Sequence, residues 1–380
     1  MGTAYIVDAV RTPLTRVGKG QSALSKHRPD QLGAHVLRAL VERNGVDPAW
    51  VNDVVMGCVT QVGEQGLNVA RNAALVAGFP VDVTGVSVNR MCGSSQQALN
   101  FAAMGVASGF QELVIAGGVE SMSRVPMGSD MFLNGNPALP APEMSWKYSI
   151  VPQGTSAELV AQRFCLSRQE LDEYSVESHR RAALAQSQGW FDREIVPVGD
   201  VARDDGIRAS TVADLGKLKP AFAADGVITA ASSSQITDGA AAVLVASESA
   251  VKRYNLKPRA RVVAMATAGC DPTIMLTAPI PATRKALAQA SLGIGDIDAV
   301  EINEAFASVA LGCGRALEFD FQKTNVHGGA IALGHPLGAS GARLTATLLG
   351  VLERTGGRRG LVTMCIGFGQ GTATIIDREI

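Results

Sequence analysis

Two stretches of the chain repeat one pattern, and that repetition constrains the fold more than any other feature. CGSSQQALNFAAMGV (92–106) leads into LVIAGGVE (113–120), and GASGARLTATLLGVL (338–352) leads into LVTMCIGFG (361–369). Each is a helix pattern rich in Gly, Ala and Ser that feeds a buried strand ending in glycines. Small residues along a helix let another backbone approach closely, and an internal duplication explains why the device occurs twice.

The surrounding sequence keeps a strand–helix rhythm. AYIVDAV (4–10), VNDVVMGCV (51–59) and TGVSVN (84–89) read as strands, and NVARNAALVAG (68–78) as a helix. DQLGAHVLRALVERNGV (30–46) reads as a helix with Asp30 as its N-cap and Leu32, Val36, Leu37, Leu40 and Val41 on one face. Such alternation predicts α/β layers. From about 119 to 236 the rhythm lapses into a Met-, Pro-, Gly-, Asn- and Ser-rich stretch. Polar helical segments follow, TSAELVAQRF (155–164) and SRQELDEYSVESHRRAALAQSQG (167–189). Ser167 with Glu170 three residues later is a capping box. DGAAAVLVAS (238–247) restores the rhythm. RARVVAMATAG (259–269) and IDAVEINEAF (297–306) then read as strands, the second running into a turn, and PATRKALAQASLG (281–293) as a helix. The middle segment therefore reads as an insertion.

Composition narrows the function. The 380 residues are 47% hydrophobic and 18% charged, with 34 Lys plus Arg against 35 Asp plus Glu. That is a globular chain, and a net charge of -1 gives it no general attraction to nucleic acid or to an anionic membrane. No apolar run approaches the ~20 residues that span a bilayer, and the first residues lack the apolar core of a signal peptide. Six cysteines (58, 92, 165, 270, 313, 365) stand apart with no zinc-like spacing. They predict a reducing compartment, the cytoplasm, and no metal.

Four positions carry chemistry. Cys92 stands where strand TGVSVN gives way to the small-residue helix, where the helix dipole favours a thiolate; a buried structural cysteine is the alternative. His335, between Gly334 and Pro336, is a suitable base for a thiol near neutral pH, or a satisfied core histidine. Cys365 lies in CIGFGQG, a strand ending in a loop that can aim backbone N–H groups at an oxyanion. It can act as acid and base, with a Cys92–Cys365 disulfide as the rival reading. Asn303, in NEAFA, can hold a water or a carbonyl.

Together, Cys92, Asn303-Glu304-Ala305-Phe306, Gly334-His335-Pro336 and Cys365-Ile366-Gly367 resemble the thiolase superfamily in order and spacing. So do GGVESMS (117–123), KLKPAF (217–222), SSSQITDGAAAVL (232–244) and GGAIALGHPLGASGAR (328–343). The resemblance covers essentially the whole chain. It implies two duplicated α/β halves in five layers, α-β-α-β-α, with an inserted loop domain. The divisions are 1–118 plus 237–257, the loop domain 119–236, and 258–380.

The resemblance also implies a ping-pong acyl transfer, and a dimer or dimer of dimers. Cys92 is then the nucleophile, His335 takes its proton, and Cys365 exchanges a proton with the α-carbon. His335 and a water on Asn303 form one oxyanion site, and the N–H groups of Cys92 and Gly367 the other. Coenzyme A is a co-substrate, and no cofactor is permanently bound. The loop domain contacts CoA, with Ser234 near the pantetheine arm and Arg208 near the nucleotide. Phe222, Met275 and Phe306 are candidate pocket walls. Glu304 either orients Asn303 or is structural, and His327 is structural.

The chain departs from the family pattern at several points. CGSS replaces the commoner CxSG or CGSG, a variant resembling degradative thiolases of bulky substrates. Gln153 stands where a Met usually shapes the short-chain acyl pocket, and Phe368 where a Gly is usual. If that position needs a positive φ, Phe368 is strained. A ketoacyl synthase on the same fold lacks the second cysteine, so Cys365 argues against one. A non-catalytic CoA-binding relative usually loses one of the four positions, and none is lost here.

Overall fold

The computed structural model describes residues 2–133, 135–137 and 141–380. The first half contains β1 (Ala4–Arg11), β2 (Thr15–Arg16), α1 (Pro29–Asn44), β3 (Asp53–Gly57), α2 (Val69–Val76), β4 (Thr84–Val88), α3 (Ser94–Ala107) and β5 (Leu113–Ser121). An excursion follows, with β6 (Phe132–Leu133), β7 (Asn136–Pro137), α4 (Pro142–Lys147), α5 (Gln153–Arg163), α6 (Arg168–Ser187) and α7 (Val212–Leu215). The chain returns through β8 (Thr237–Ser247) and α8 (Glu248–Arg253). The second half holds β9 (Ala260–Gly269), α9 (Pro279–Ala290), β10 (Ala299–Ile302), α10 (Ala307–Leu317), α11 (Ala330–Leu333), α12 (Ser340–Thr355), β11 (Arg359–Ile366) and β12 (Gln370–Asp377).

The duplication is visible strand by strand. In the first half β3 runs parallel to β4 and β5, and β8 runs antiparallel to β5 and to β1. In the second half β10 runs parallel to β11, and β12 runs antiparallel to β11 and to β9. The counterpart of β4 is reduced to a single parallel bridge, Val300 with Thr324. β11 turns into β12 through Gly367, Phe368 and Gly369. At the same point of the first half, β5 and β8 are separated by the whole excursion.

Both sheets are covered on two faces, which is why their strands read as nearly unbroken apolar runs. Val114 and Ala116 of β5 face a central core shared with α3, α12 and Val362, Met364 and Ile366 of β11. Their neighbours Leu113 and Ile115 face an outer core with α1 and α2. Leu361 and Cys365 face the opposite outer core with α9 and α10. This is the expected five-layer order. The two sheets also touch at one edge, where Tyr5 pairs with Arg261 and Ile6 with Ala260, so the ladder continues as ten strands.

The two central helices need their small residues: a β-carbon on Gly341 of α12 would fall 2.3 Å from the backbone nitrogen of Gln96 in α3. The capping box of α6 is present, with Ser167 Oγ accepting from the Glu170 N–H and the Glu170 carboxylate accepting from the Ser167 N–H. The expected N-cap of α1 is displaced. The helix begins at Pro29 with Arg28 as N-cap, and Asp30 sits inside the first turn, where its carboxylate accepts from the Arg28 guanidinium and the Gln31 N–H. Proline at the first helical position pre-sets φ and overrode the Asx signal. Cys92 also lies slightly outside its helix, since Gly93 is the N-cap of α3.

Candidate active site

Cys92 sits in a tight turn between β4 and α3. Met91 before it takes a left-handed conformation, φ +44°, which is uncommon for a non-glycine residue. The Gly93 N–H donates to the Arg90 carbonyl and the Ser94 N–H to the Met91 carbonyl, closing the turn. Cys92 is buried. Burial pushes its thiol up to about 11, and Glu120 pushes the same way. Its own N–H, the Gly367 N–H and the Gln153 side chain act against that rise. The two N–H groups that the resemblance assigns to an oxyanion are thus among the groups that favour a charged sulfur here.

Cys365 is buried at the end of β11, and burial, followed by Cys92 and then Cys313, raises its thiol well above the ordinary value. Both thiols are therefore protonated at neutral pH, and all six cysteines are free. The alternative of a Cys92–Cys365 disulfide is not what the structure has.

Asn303 and His335 form a buried pair, Asn303 Nδ2 to His335 Nε2 at 3.2 Å. The Ser340 hydroxyl lies 2.6 Å from His335 Nδ1 and donates its own proton to the Pro336 carbonyl at 2.8 Å. A hydroxyl has one proton. With that proton on the Pro336 carbonyl, Ser340 Oγ accepts from His335 Nδ1–H, which leaves Nε2 with its lone pair. That is the tautomer able to take a proton at Nε2. Burial, and then the Arg343 guanidinium, push His335 down to about 3, so the resting imidazole is neutral. Arg343 is itself fully buried, 3.8 Å from Glu301. The Asn303 Oδ1 has no partner among the described residues.

Two positioning residues were not foreseen. In the sequence Ser340 is one more small residue in a helix pattern rich in Gly, Ala and Ser. Glu120, inside the GGVESMS motif, is fully buried and accepts from the N–H groups of Val59, Thr60 and Gly338 and from Gln65 Nε2. It ties the end of β5 to the His335–Ser340 loop. A carboxylate buried among backbone donors leaves no period or spacing in a sequence.

The remaining expected residues divide. Glu304 is saturated by Tyr174, Ser178, Asn325 and the Ile331 N–H, so it clamps α6 onto the Asn303 turn and makes no hydrogen bond to Asn303. Phe222 and Phe306 meet edge to face with centroids 5.8 Å apart. Ser234 lies beside them, its N–H donating to the Ala305 carbonyl. Met275 is buried in the outer core with α9 and α10. Arg208 is exposed, its backbone N–H donating to His179 Nδ1. Phe368 has φ +59° and is 37% exposed, so the strain anticipated for it is present. His327 stacks on Trp190 and accepts from Arg354. Among the described residues no His, Cys, Asp and Glu cluster could hold a metal.

Residues 4–249 match the family model of the thiolase N-terminal domain and residues 256–378 that of the thiolase C-terminal domain. The chain belongs to the thiolase family. A steroid 3-ketoacyl-CoA thiolase of Mycobacterium tuberculosis is 46% identical, over 100% of this chain and 95% of its own. A beta-ketoadipyl-CoA thiolase of Acinetobacter baylyi is 46% identical over 100% of both chains. The crystal structure of the Bacillus anthracis acetyl-CoA acetyltransferase superposes with a TM-score of 0.91 at 37% identity, covering 99% of each chain.

Proposed function

We propose that this thiolase cleaves 3-ketoacyl-CoA with free CoA, in the degradative direction. The observation that carries the reading is the burial of both Cys92 and Cys365 together with the buried Asn303–His335 pair, whose His335 tautomer is open at Nε2. With Cys92 raised and His335 lowered, the resting pair is thiol and imidazole. Proton transfer then accompanies attack rather than preceding it.

Cys92 Sγ attacks the 3-keto carbon while its proton passes to His335 Nε2. The bond between the α and β carbons breaks, leaving acyl-Cys92 and an enolate that takes the Cys365 proton. CoA thiol gives its proton to the Cys365 thiolate and attacks the acyl group. Cys92 leaves and recovers its proton from His335. Oxyanions are held by the N–H groups of Cys92 and Gly367, and by His335 with a water on Asn303. Each such donor is worth ~10²–10³ in rate.

The divisions 1–118 plus 237–257, 119–236 and 258–380 remain our proposal for the domains, with Ser234, Arg208, Phe222 and Phe306 toward CoA. A homo-oligomer is supported by β4, which pairs only with β3 among the described residues, and by exposed Val86, Phe101 and Met104 nearby. An unpaired edge strand with apolar neighbours suits a twofold mate. No helix among the described residues is long and apolar enough to cross a membrane, and we place the protein in the cytoplasm. The polar Gln153 and bulky Phe368 support a substrate larger than acetoacetyl-CoA. The test is CoA-dependent loss of the 3-ketoacyl-CoA enolate absorbance, with acetoacetyl-CoA beside a bulky substrate and a Cys92→Ser control. Cleavage favouring the larger substrate, absent in the control, is expected. Preference for acetoacetyl-CoA would sink the bulky-substrate assignment alone.

A further inference from the structure

We propose that Gln153 is a third donor to the Cys92 sulfur, its side-chain amide joining the N–H groups of Cys92 and Gly367 to stabilise the thiolate. The proposal rests on the reading of Cys92 as the nucleophile. Gln153 is the first residue of α5, and that helix start is pinned from several sides. A β-carbon on Gly154 would fall 2.1 Å from the Phe222 ring, which itself packs on Phe306. Ser308 Oγ donates to the Ala157 carbonyl at 3.0 Å, and the Glu158 carboxylate accepts from the Val227 and Ile228 N–H groups. The side chain at 153 is thus delivered from a fixed backbone. Its Nε2 lies 3.4 Å from the position a β-carbon would take on Gly367, and the sulfur of Met91, the residue before Cys92, lies 2.5 Å from the same position, so the amide is brought to the Cys92 turn.

An amide N–H donates strongly to a thiolate and weakly to a thiol, so this contact favours the charged sulfur. Methionine, which the family pattern usually places here, has no proton to donate. The consequence is that this chain has traded an apolar pocket wall for an activating donor. A hydrogen bond to a charged group, weakened by the half-exposed setting of Gln153, corresponds to a shift of about one pH unit in the Cys92 thiol.

The test is the rate of Cys92 alkylation by iodoacetamide in the full-length protein at pH 8, with no substrate present. Mass analysis of the modified peptide separates Cys92 from Cys365. A one-unit rise leaves ~10-fold less thiolate, each ~3-fold more nucleophilic, for a net slowing of ~3-fold. Gln153→Met is expected to show that slowing. Gln153→Glu keeps the shape but sets a carboxylate beside the sulfur, so it is slower still at pH 8. The gap to wild type narrows as the pH falls and the new carboxyl is protonated. Wild-type rates or faster in both variants would overturn the proposal, and the Glu variant excludes an effect of side-chain size. Because no substrate is involved, this ordering stands or falls apart from thiolysis. Failure of thiolysis with the ordering intact would refute the functional reading alone.

Discussion

Replacing Ser340 by Ala removes one oxygen and no charge, yet it is expected to disable the base. His335 Nδ1–H is fully buried and has its acceptor in Ser340 Oγ at 2.6 Å. Without that oxygen, the proton gains by moving to Nε2, where Asn303 can turn its carbonyl to receive it; Asn303 Oδ1 has no other partner among the described residues. The imidazole then presents N–H where a lone pair is needed. The imidazolium formed during attack also loses an acceptor for Nδ1–H. A hydrogen bond to a charged group contributes ~1.5–3 kcal/mol, which corresponds to ~10- to 100-fold in the rate of acyl transfer. The assay is single-turnover formation of acyl-Cys92, with the steady-state KM measured alongside. The expected result is a fall in acylation rate with little change in KM, in a protein of wild-type thermal stability to within about 1 kcal/mol. Ser340→Thr, which keeps the hydroxyl, should recover much of the rate. Acylation within twofold of wild type in Ser340→Ala would refute the tautomer argument, because nothing else among the described residues accepts from Nδ1.

Further expectations follow from the same geometry. Wild-type Cys92 alkylation should rise continuously from pH 6 to pH 10, since a thiol pushed up to about 11 forms more thiolate at every step; a plateau near pH 7 would contradict the neutral resting pair. Phe368→Gly removes a left-handed non-glycine residue and should stabilise the fold by ~0.5–1 kcal/mol in urea unfolding, while reducing any preference for bulky acyl groups. A loss of stability would mean that the Phe368 ring contributes packing that outweighs its strain. Glu120→Gln sets an amide NH₂ against N–H donors from Val59, Thr60 or Gly338 and should destabilise by ~2–3 kcal/mol. Its acylation rate should fall as well, because the loop carrying His335 is no longer held; full activity with the stability loss would make Glu120 purely structural.

The chain's layering was legible before any coordinates because it is written in periodicity. Strands covered on both faces must be apolar throughout, and two central helices that nearly touch must be small, so LVIAGGVE and GASGARLTATLL carry their own explanation. The excursion between β5 and β8 was legible as a lapse in that rhythm, and Cys92, Asn303, His335 and Cys365, the residues we propose for the chemistry, stood out because thiols, an amide and an imidazole on glycine-rich turns are chemically conspicuous. Where local signals competed, the sequence misled: Asp30 offered a cap, but Pro29 had already fixed the first helical φ.

The environment of those side chains was decided by tertiary structure alone. No pattern along the chain says that Ser340 receives the proton of His335, that Glu120 gathers donors from two loops, or that Gln153 comes from the excursion between β5 and β8 to lie beside Gly367. Each of these depends on groups tens to hundreds of residues apart, or on which oxygen has a proton left to give. Periodicity records which face of an element is buried. It carries no record of what the buried polar atom meets there, and on that meeting the tautomer of His335 and the charge of Cys92 depend.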